Sequence, residues 1–333
     1  MSAASLLAAG ALLVALPYVV GVHWSEIGGV LGQLNPAEAL WLVTLWLAGL
    51  WSYTWVLTAS LPGLTHVRAF AVNAAGSLVS NVLPFGGALG VAITFAMCRS
   101  WGHGNATVTV STLITGVWNM LAKLLLPAVG IAALLVAGQI PDRRLGSAAG
   151  FGGALLVAIV VACALALRSE TAATRLQNLL VRLAERLPVR LRKPARRIAE
   201  SILRVRHQTV DVLRTGWLGL TLGTGAYLLL QGMLLAACLA ATGAHIGVAE
   251  TIAVFALNRL LTIAVITPSG TGISETGTAA LLVHFGAPSA SAAAAVLLYM
   301  VFVHTLEIPL GGLAAGIWAF TRRPPRLGPV LSR

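Results

Sequence analysis

Four charged residues stand inside long apolar runs: Lys123, Arg259, Glu275 and Glu307. A charge at membrane depth costs about 2.5–3.5 kcal/mol on insertion scales, so such residues point to substrate, ion or proton chemistry. With two of each sign, the cations suit a phosphate and the carboxylates suit a cationic group or a proton. Lys123 and Glu307 are separated by 307 − 123 = 184 residues, which makes them equivalent positions of two repeats, within reach of pairing near the midplane. Arg259 precedes Pro268 by nine residues and Glu275 follows it by seven. Across a helical hairpin rising about 1.5 Å per residue, the two lie at similar depth and can meet. Each has a structural alternative. Glu275 falls in the first turn after two glycines, where a carboxylate caps a helix. Lys123 and Glu307 can form a buried pair that only fixes packing, and Arg259 can snorkel to the surface. His284 and His304 have no partner spacing and read as packing residues.

The element that must position these groups is the break Pro268-Ser-Gly-Thr-Gly-Ile-Ser-Glu275. Unpaired backbone is tolerated in hydrocarbon only where protein or a water-filled cavity surrounds it, so the break marks a site. Ser269 and Thr271, with the N–H groups of the half-helix beyond, suit a phosphate oxygen. A weaker copy, Leu83-Pro-Phe-Gly-Gly-Ala-Leu-Gly90, lies upstream, with 268 − 84 = 184. The same offset aligns Gly86 with Gly270 and Trp101-Gly102 with Phe285-Gly286. Interrupted segments at corresponding positions of two halves are the sequence mark of a transporter site built from repeats. The candidate substrate-binding set is Arg259, Glu275, Lys123, Glu307, Ser269, Thr271, Asn81 and Asn258. No catalytic constellation, metal site or cofactor is expected.

Composition fixes the class. The 333 residues are 58% hydrophobic and 10% charged, with mean hydropathy +0.88, whereas soluble domains are about 25% charged. The net charge of +12 invites a nucleic-acid reading, but 12 of the 22 basic residues lie between Arg168 and Arg214. That segment, flanked by apolar runs, belongs at a surface of anionic lipid, and no nucleic-acid partner is expected. Cys98, Cys163 and Cys238 sit in apolar runs without CxxC spacing and read as packing residues.

The expected fold is all-α and polytopic, with about six to eight transmembrane helices and two Pro/Gly-broken hairpins, re-entrant or crossing as pairs of short helices, in an inverted repeat. Residues 1–167 form the first membrane half, with a retained first span at 5–22 and a hairpin at 69–98. Residues 168–214 form two or three basic amphipathic helices broken at Pro188 and Pro194. Residues 215–321 form the second half, with a hairpin at 249–286, and 322–333 a basic tail. The stretch from His23 to Glu38 reads as a short loop, and 105–139, with Pro127 inside it, as one kinked helix or two short ones. Basic residues collect on the cytoplasmic side, so a multi-pass plasma-membrane protein with both termini inside is expected, the hairpins opening from opposite faces.

The second break, followed by Phe285-Gly286 and a helix ending in Leu306-Glu-Ile-Pro-Leu-Gly311, resembles the flippase-like family typified by the transmembrane region of lysylphosphatidylglycerol synthases. Asn81-Val-Leu-Pro-Phe-Gly-Gly-Ala-Leu-Gly90 is similar to the family's earlier N-x-x-P element. Two positions depart from the pattern: Gly87-Ala88 stands where many relatives have Gly-Glu, and Tyr299-Met300 where they have Tyr-Arg. The chain stops at Arg333 with no soluble aminoacyltransferase domain expected. The resemblance implies translocation between leaflets of a charged-headgroup phospholipid or a polyprenyl-phosphate-linked lipid. The alternatives are a membrane-embedded enzyme or partner of envelope lipid biosynthesis, and a small-solute secondary transporter. Replacing Glu275 with Gln is then expected to abolish exchange.

Overall fold

A computed structural model describes residues 22–82, 86–139, 182, 189–262 and 272–321, with side chains of the long basic helix described from Thr209 onward. Among these residues all regular structure is helical. The elements are α1 (Trp24–Leu31), α2 (Pro36–Ser60), α3 (His66–Val82), α4 (Gly86–Ser100), α5 (Asn105–Val136), α6 (Val189–Ala241), α7 (Val248–Leu261), α8 (Ile273–His284), α9 (Ser289–Met300) and α10 (Glu307–Thr321). A π-helical turn, Val301–Thr305, joins the last two.

Four stretches are long and apolar enough to cross a bilayer: Pro36–Ser60, Asn105–Val136, Thr209–Ala241 and Ser289–Thr321. The expected first span at 5–22 lies outside the described residues up to its last residue, as do the break at Pro188 and the basic tail. The spans turn large apolar side chains outward, Leu113, Val117, Leu124 and Val129 on α5 and Trp217, Leu222 and Leu229 on α6, as lipid contact requires. On α2, Trp41, Trp51 and Trp55 are exposed while Trp46 is buried edge-on against Phe302, 6.2 Å between ring centroids. The protein is a polytopic helical membrane protein.

Two local features differ from the sequence expectation. The stretch read as a loop after His23 contains α1, whose Ile27 is buried against α9. Asn35 then starts α2 through a capping box: its side chain accepts the Glu38 amide at 2.9 Å, and Glu38 accepts the Asn35 amide at 3.0 Å. The expected break at Pro194 is absent, because α6 begins at Val189 and runs unbroken into the span. A proline so near a helix start disturbs a single turn. Pro127 sits within one continuous α5, the one-helix form of the expectation for 105–139. Pro309 lies in the first turn of α10, four residues past the end of the π turn, which loosens the hydrogen-bond ladder at Thr305, the carbonyl that the ring would strike.

The two breaks fall between short helices. Arms α3 and α4 have 17 and 15 residues, and arms α7 and α8 have 14 and 12; a perpendicular crossing takes about 20. The arms of each hairpin pack on one another, and each hairpin also packs on the long helix of the other half: α7 on α5, and α3 on α10.

The direction of packing follows from close approaches at small residues. A Cβ at Gly49 would stand 3.7 Å from that of Leu230, one at Gly223 would lie 2.9 Å from Val56, and one at Gly216 would lie 2.6 Å from the Ala59 carbonyl oxygen. Numbers rise along one helix as they fall along the other, so α2 and the span of α6 are antiparallel. Their contact is a small-residue seam, the usual way for helices to approach closely in lipid. The same reasoning makes α5 and α7 antiparallel, since Gly130 meets Ala253 while Lys123 meets Thr262.

Candidate functional site

The hairpin arms converge on the spans around a polar cavity of about 410 Å³. Polar groups reach it from several elements: Tyr53 from α2, Asn73, Ser77 and Asn81 from α3, Asn119 and Lys123 from α5, Tyr227 from α6, Arg259 and Thr262 from α7 and its C-cap, His304 from the π turn and Glu307 from α10. A larger space of about 590 Å³ lies elsewhere, a mostly apolar groove between α3 and α10 lined by Phe70, Leu310, Leu313 and Ile317. At one end of it the Arg68 guanidinium stands 5.2 Å from the Trp101 ring centre. Lys123, Arg259 and Glu307 all line the smaller, polar space.

Arg259 is the best-held charge. It is 7% exposed, and its Nη2 donates to Gln231 Oε1 at 3.1 Å and to the Tyr299 hydroxyl at 2.5 Å, while that hydroxyl donates to Gln231 Oε1 at 3.3 Å. The guanidinium also lies over Phe255, 5.2 Å from the ring centre. Lys123 donates from Nζ to Thr262 Oγ1 at 3.1 Å. The Glu307 carboxylate accepts hydrogen bonds from the side chains of Ser77 and Asn81, and Asn81 Nδ2 also donates to the His304 carbonyl at 3.4 Å.

The two expected charge pairs therefore do not form. Lys123 and Glu307 line one cavity, but each is held by the hairpin arm of the opposite half, Lys123 by Thr262 on the α7 side and Glu307 by Ser77 and Asn81 on α3. Arg259 and Glu275 also stay apart. Glu275 turns back on its own helix start, where Oε2 accepts the Gly272 amide at 2.5 Å and the Ser274 hydroxyl at 3.0 Å. This is the capping alternative. It uses Gly272 at φ +90°, where a side chain would be strained. Asn258 bridges the hairpin arms by donating to Thr278 Oγ1 at 3.1 Å. Glu275 and Asn258, with Ser274, Arg259 and His304, line a closed cleft of about 10 Å³, room for one water at most. Ser269 and Thr271 lie outside the described residues.

Several site groups are absent from the sequence-derived set. Gln231 and Tyr299, which hold Arg259, and Asn73 and Asn119 are neutral, and neutral polar residues in apolar helices carry little insertion cost and little signal. His304, read as packing, reaches both spaces and places Nε2 3.7 Å from Glu275 Oε1. Its π turn is the kind of irregularity that gathers at functional sites. Among the described residues no three His, Cys, Asp or Glu side chains gather as a metal site would require.

The fold and site together define a polytopic helical membrane protein with a polar, charged cavity among its apolar-faced spans. The chain belongs to the family of the lysylphosphatidylglycerol synthase transmembrane region, whose model matches residues 2–310. That membership is consistent with a role in lipid metabolism or transport. No curated protein matches the chain.

Proposed function

We propose that the protein moves a charged-headgroup phospholipid or a polyprenyl-phosphate-linked lipid between leaflets, the cavity around Lys123, Arg259 and Glu307 taking the headgroup. The observation that carries this reading is a polar space of about 410 Å³ within spans whose outer faces are apolar. Three charges around such a space need a polar occupant to repay their burial, and a lipid brings one without its chains leaving the hydrocarbon.

Alternating exposure of the cavity would come from an inverted repeat. Support comes first from helix bounds: α5 starts at Asn105 and α9 at Ser289, with 289 − 105 = 184, the offset already seen in the breaks and charges. It comes next from reciprocal packing, α7 on α5 and α3 on α10, the exchange a two-fold axis generates. The axis would lie in the membrane plane, because the equivalent helices α2 and α6 run antiparallel. In this arrangement the arms are re-entrant, both termini and the basic part of α6 are cytoplasmic, and that basic part gathers anionic lipid.

The test is reconstitution in vesicles with fluorescent headgroup-bearing lipids in one leaflet, followed by their access to a membrane-impermeant quencher. Exchange above that of protein-free vesicles, lost on Arg259→Gln, is expected. Wild-type protein that exchanges no lipid while retaining its thermal unfolding transition would sink the reading.

A further inference from the structure

The ionic groups of the cavity differ in how far the protein itself satisfies them. Both carboxylates are met from within: Glu307 by Ser77 and Asn81, and Glu275, which does not line the central cavity, by the Gly272 amide and the Ser274 hydroxyl. The cations are under-used. Arg259 spends Nη2 on Gln231 and Tyr299, but its Nε is buried without a partner. Lys123 makes one hydrogen bond, to Thr262, out of the three an ammonium can donate. A buried cationic donor lacking an acceptor is costly, and an oxygen-rich anion in the cavity removes that cost. Asn119, Tyr53 and Tyr227 add neutral donors to the same walls. The breaks that follow α3 and α7, residues 83–85 and 263–271, contain no charged residue to reverse the balance.

We infer that the cavity selects a phosphate ester anion carrying no cationic group, one unbridged or diester phosphate held between Lys123 and Arg259. The inference rests on the lipid-translocation reading for the carrier of that phosphate, which would be an acidic phospholipid or a lipid monophosphate. A cationic aminoacyl headgroup, the kind named in the family's description, would bring an ammonium to a wall that already holds two cations. The single lining carboxylate, Glu307, is already engaged by two donors. The same wall accounts for Glu275 as a cap: its charge is spent at the start of α8 and is not presented to a headgroup.

The experiment compares headgroups on the full-length protein in vesicles. Fluorescent phosphatidic acid, phosphatidylglycerol and lysylphosphatidylglycerol are each placed in one leaflet, and glycerol phosphate is added in parallel to detergent-solubilised protein during thermal unfolding. The two acidic lipids are expected to exchange at least about tenfold faster than the lysyl lipid. Lys123→Gln is expected to slow them about 10- to 100-fold, with Lys123→Arg restoring most of the rate, as the loss and return of a charge-assisted hydrogen bond imply. Faster exchange of the lysyl lipid overturns the inference and leaves lipid translocation standing. If no lipid exchanges but glycerol phosphate raises the unfolding temperature of wild type and not of Lys123→Gln, the phosphate site stands and translocation falls. If neither occurs, both are wrong. Should Lys123→Gln fail to fold, the headgroup order of the wild type decides.

Discussion

Removing the Glu275 carboxylate gives the sharpest test of how the second hairpin is held. In Glu275→Ala, the Gly272 amide and the Ser274 hydroxyl, both in buried residues, lose the oxygen they share. The orphaned Gly272 amide costs about 1–3 kcal/mol and the lost Ser274 contact about 1 kcal/mol more, but relief of a buried carboxylate works the other way, so a net loss of about 2–3 kcal/mol is expected. At about 2–4 °C per kcal/mol for a chain at the large end of single domains, the unfolding midpoint in detergent falls by about 5–10 °C. Glu275→Gln keeps one oxygen for both donors and loses only the charge, so about 1 kcal/mol and a shift of about 2–4 °C are expected. Because Glu275 stands outside the central cavity, lipid exchange by the folded Gln variant should stay within about threefold of wild type, a change under 1 kcal/mol. This reverses the outcome expected from the sequence, in which loss of charge at Glu275 abolishes exchange. The reasoning is refuted if Glu275→Gln stops exchange at an unchanged midpoint, or if Glu275→Ala unfolds at the wild-type temperature.

Cysteines replacing Gly49 and Leu230 should form a disulfide under mild oxidation, since a Cβ at Gly49 stands 3.7 Å from that of Leu230 and bridged Cβ atoms lie about 3.5–4.5 Å apart; a mobility shift on non-reducing gels reads it, and none would refute the antiparallel seam. Gly311→Ala would press its methyl onto the Ala74 carbonyl oxygen and within 2.6 Å of Leu78 Cβ, whereas a methyl at Gly312 meets nothing within 4 Å. The first should cost about 1–3 kcal/mol by thermal unfolding and the second should be neutral or slightly stabilising. Tyr299→Phe removes one of the two acceptors of Arg259 Nη2 and should cost about 1–3 kcal/mol in the same assay, with lipid exchange falling in step as the guanidinium loses its orientation.

What the sequence determined by itself is what composition and covalent spacing control. Too few charges to coat a soluble surface made the chain a helical membrane protein, and Pro84, Pro268 and their glycines placed the breaks between short helices. The 184-residue offset singled out Lys123 and Glu307, and the charges Lys123, Arg259 and Glu307 do share a cavity. Partnership was decided by the tertiary structure. Equal spacing suggested that Lys123 should find Glu307, yet each hairpin lies on the other half's long helix, so each charge meets the neutral groups of the opposing arm. Arg259 and Glu275 stand at similar distances from Pro268, but a carboxylate three residues after Gly272 reaches its own helix start more readily than a guanidinium across the hairpin. Gln231 and Tyr299 come from α6 and α9, far from Arg259 in sequence, and only packing brings them to it. One-dimensional spacing reports depth in the membrane; which face a helix turns toward which neighbour is set by close approaches at small residues such as Gly216, Gly223 and Gly311, and those are visible only once the helices are in place.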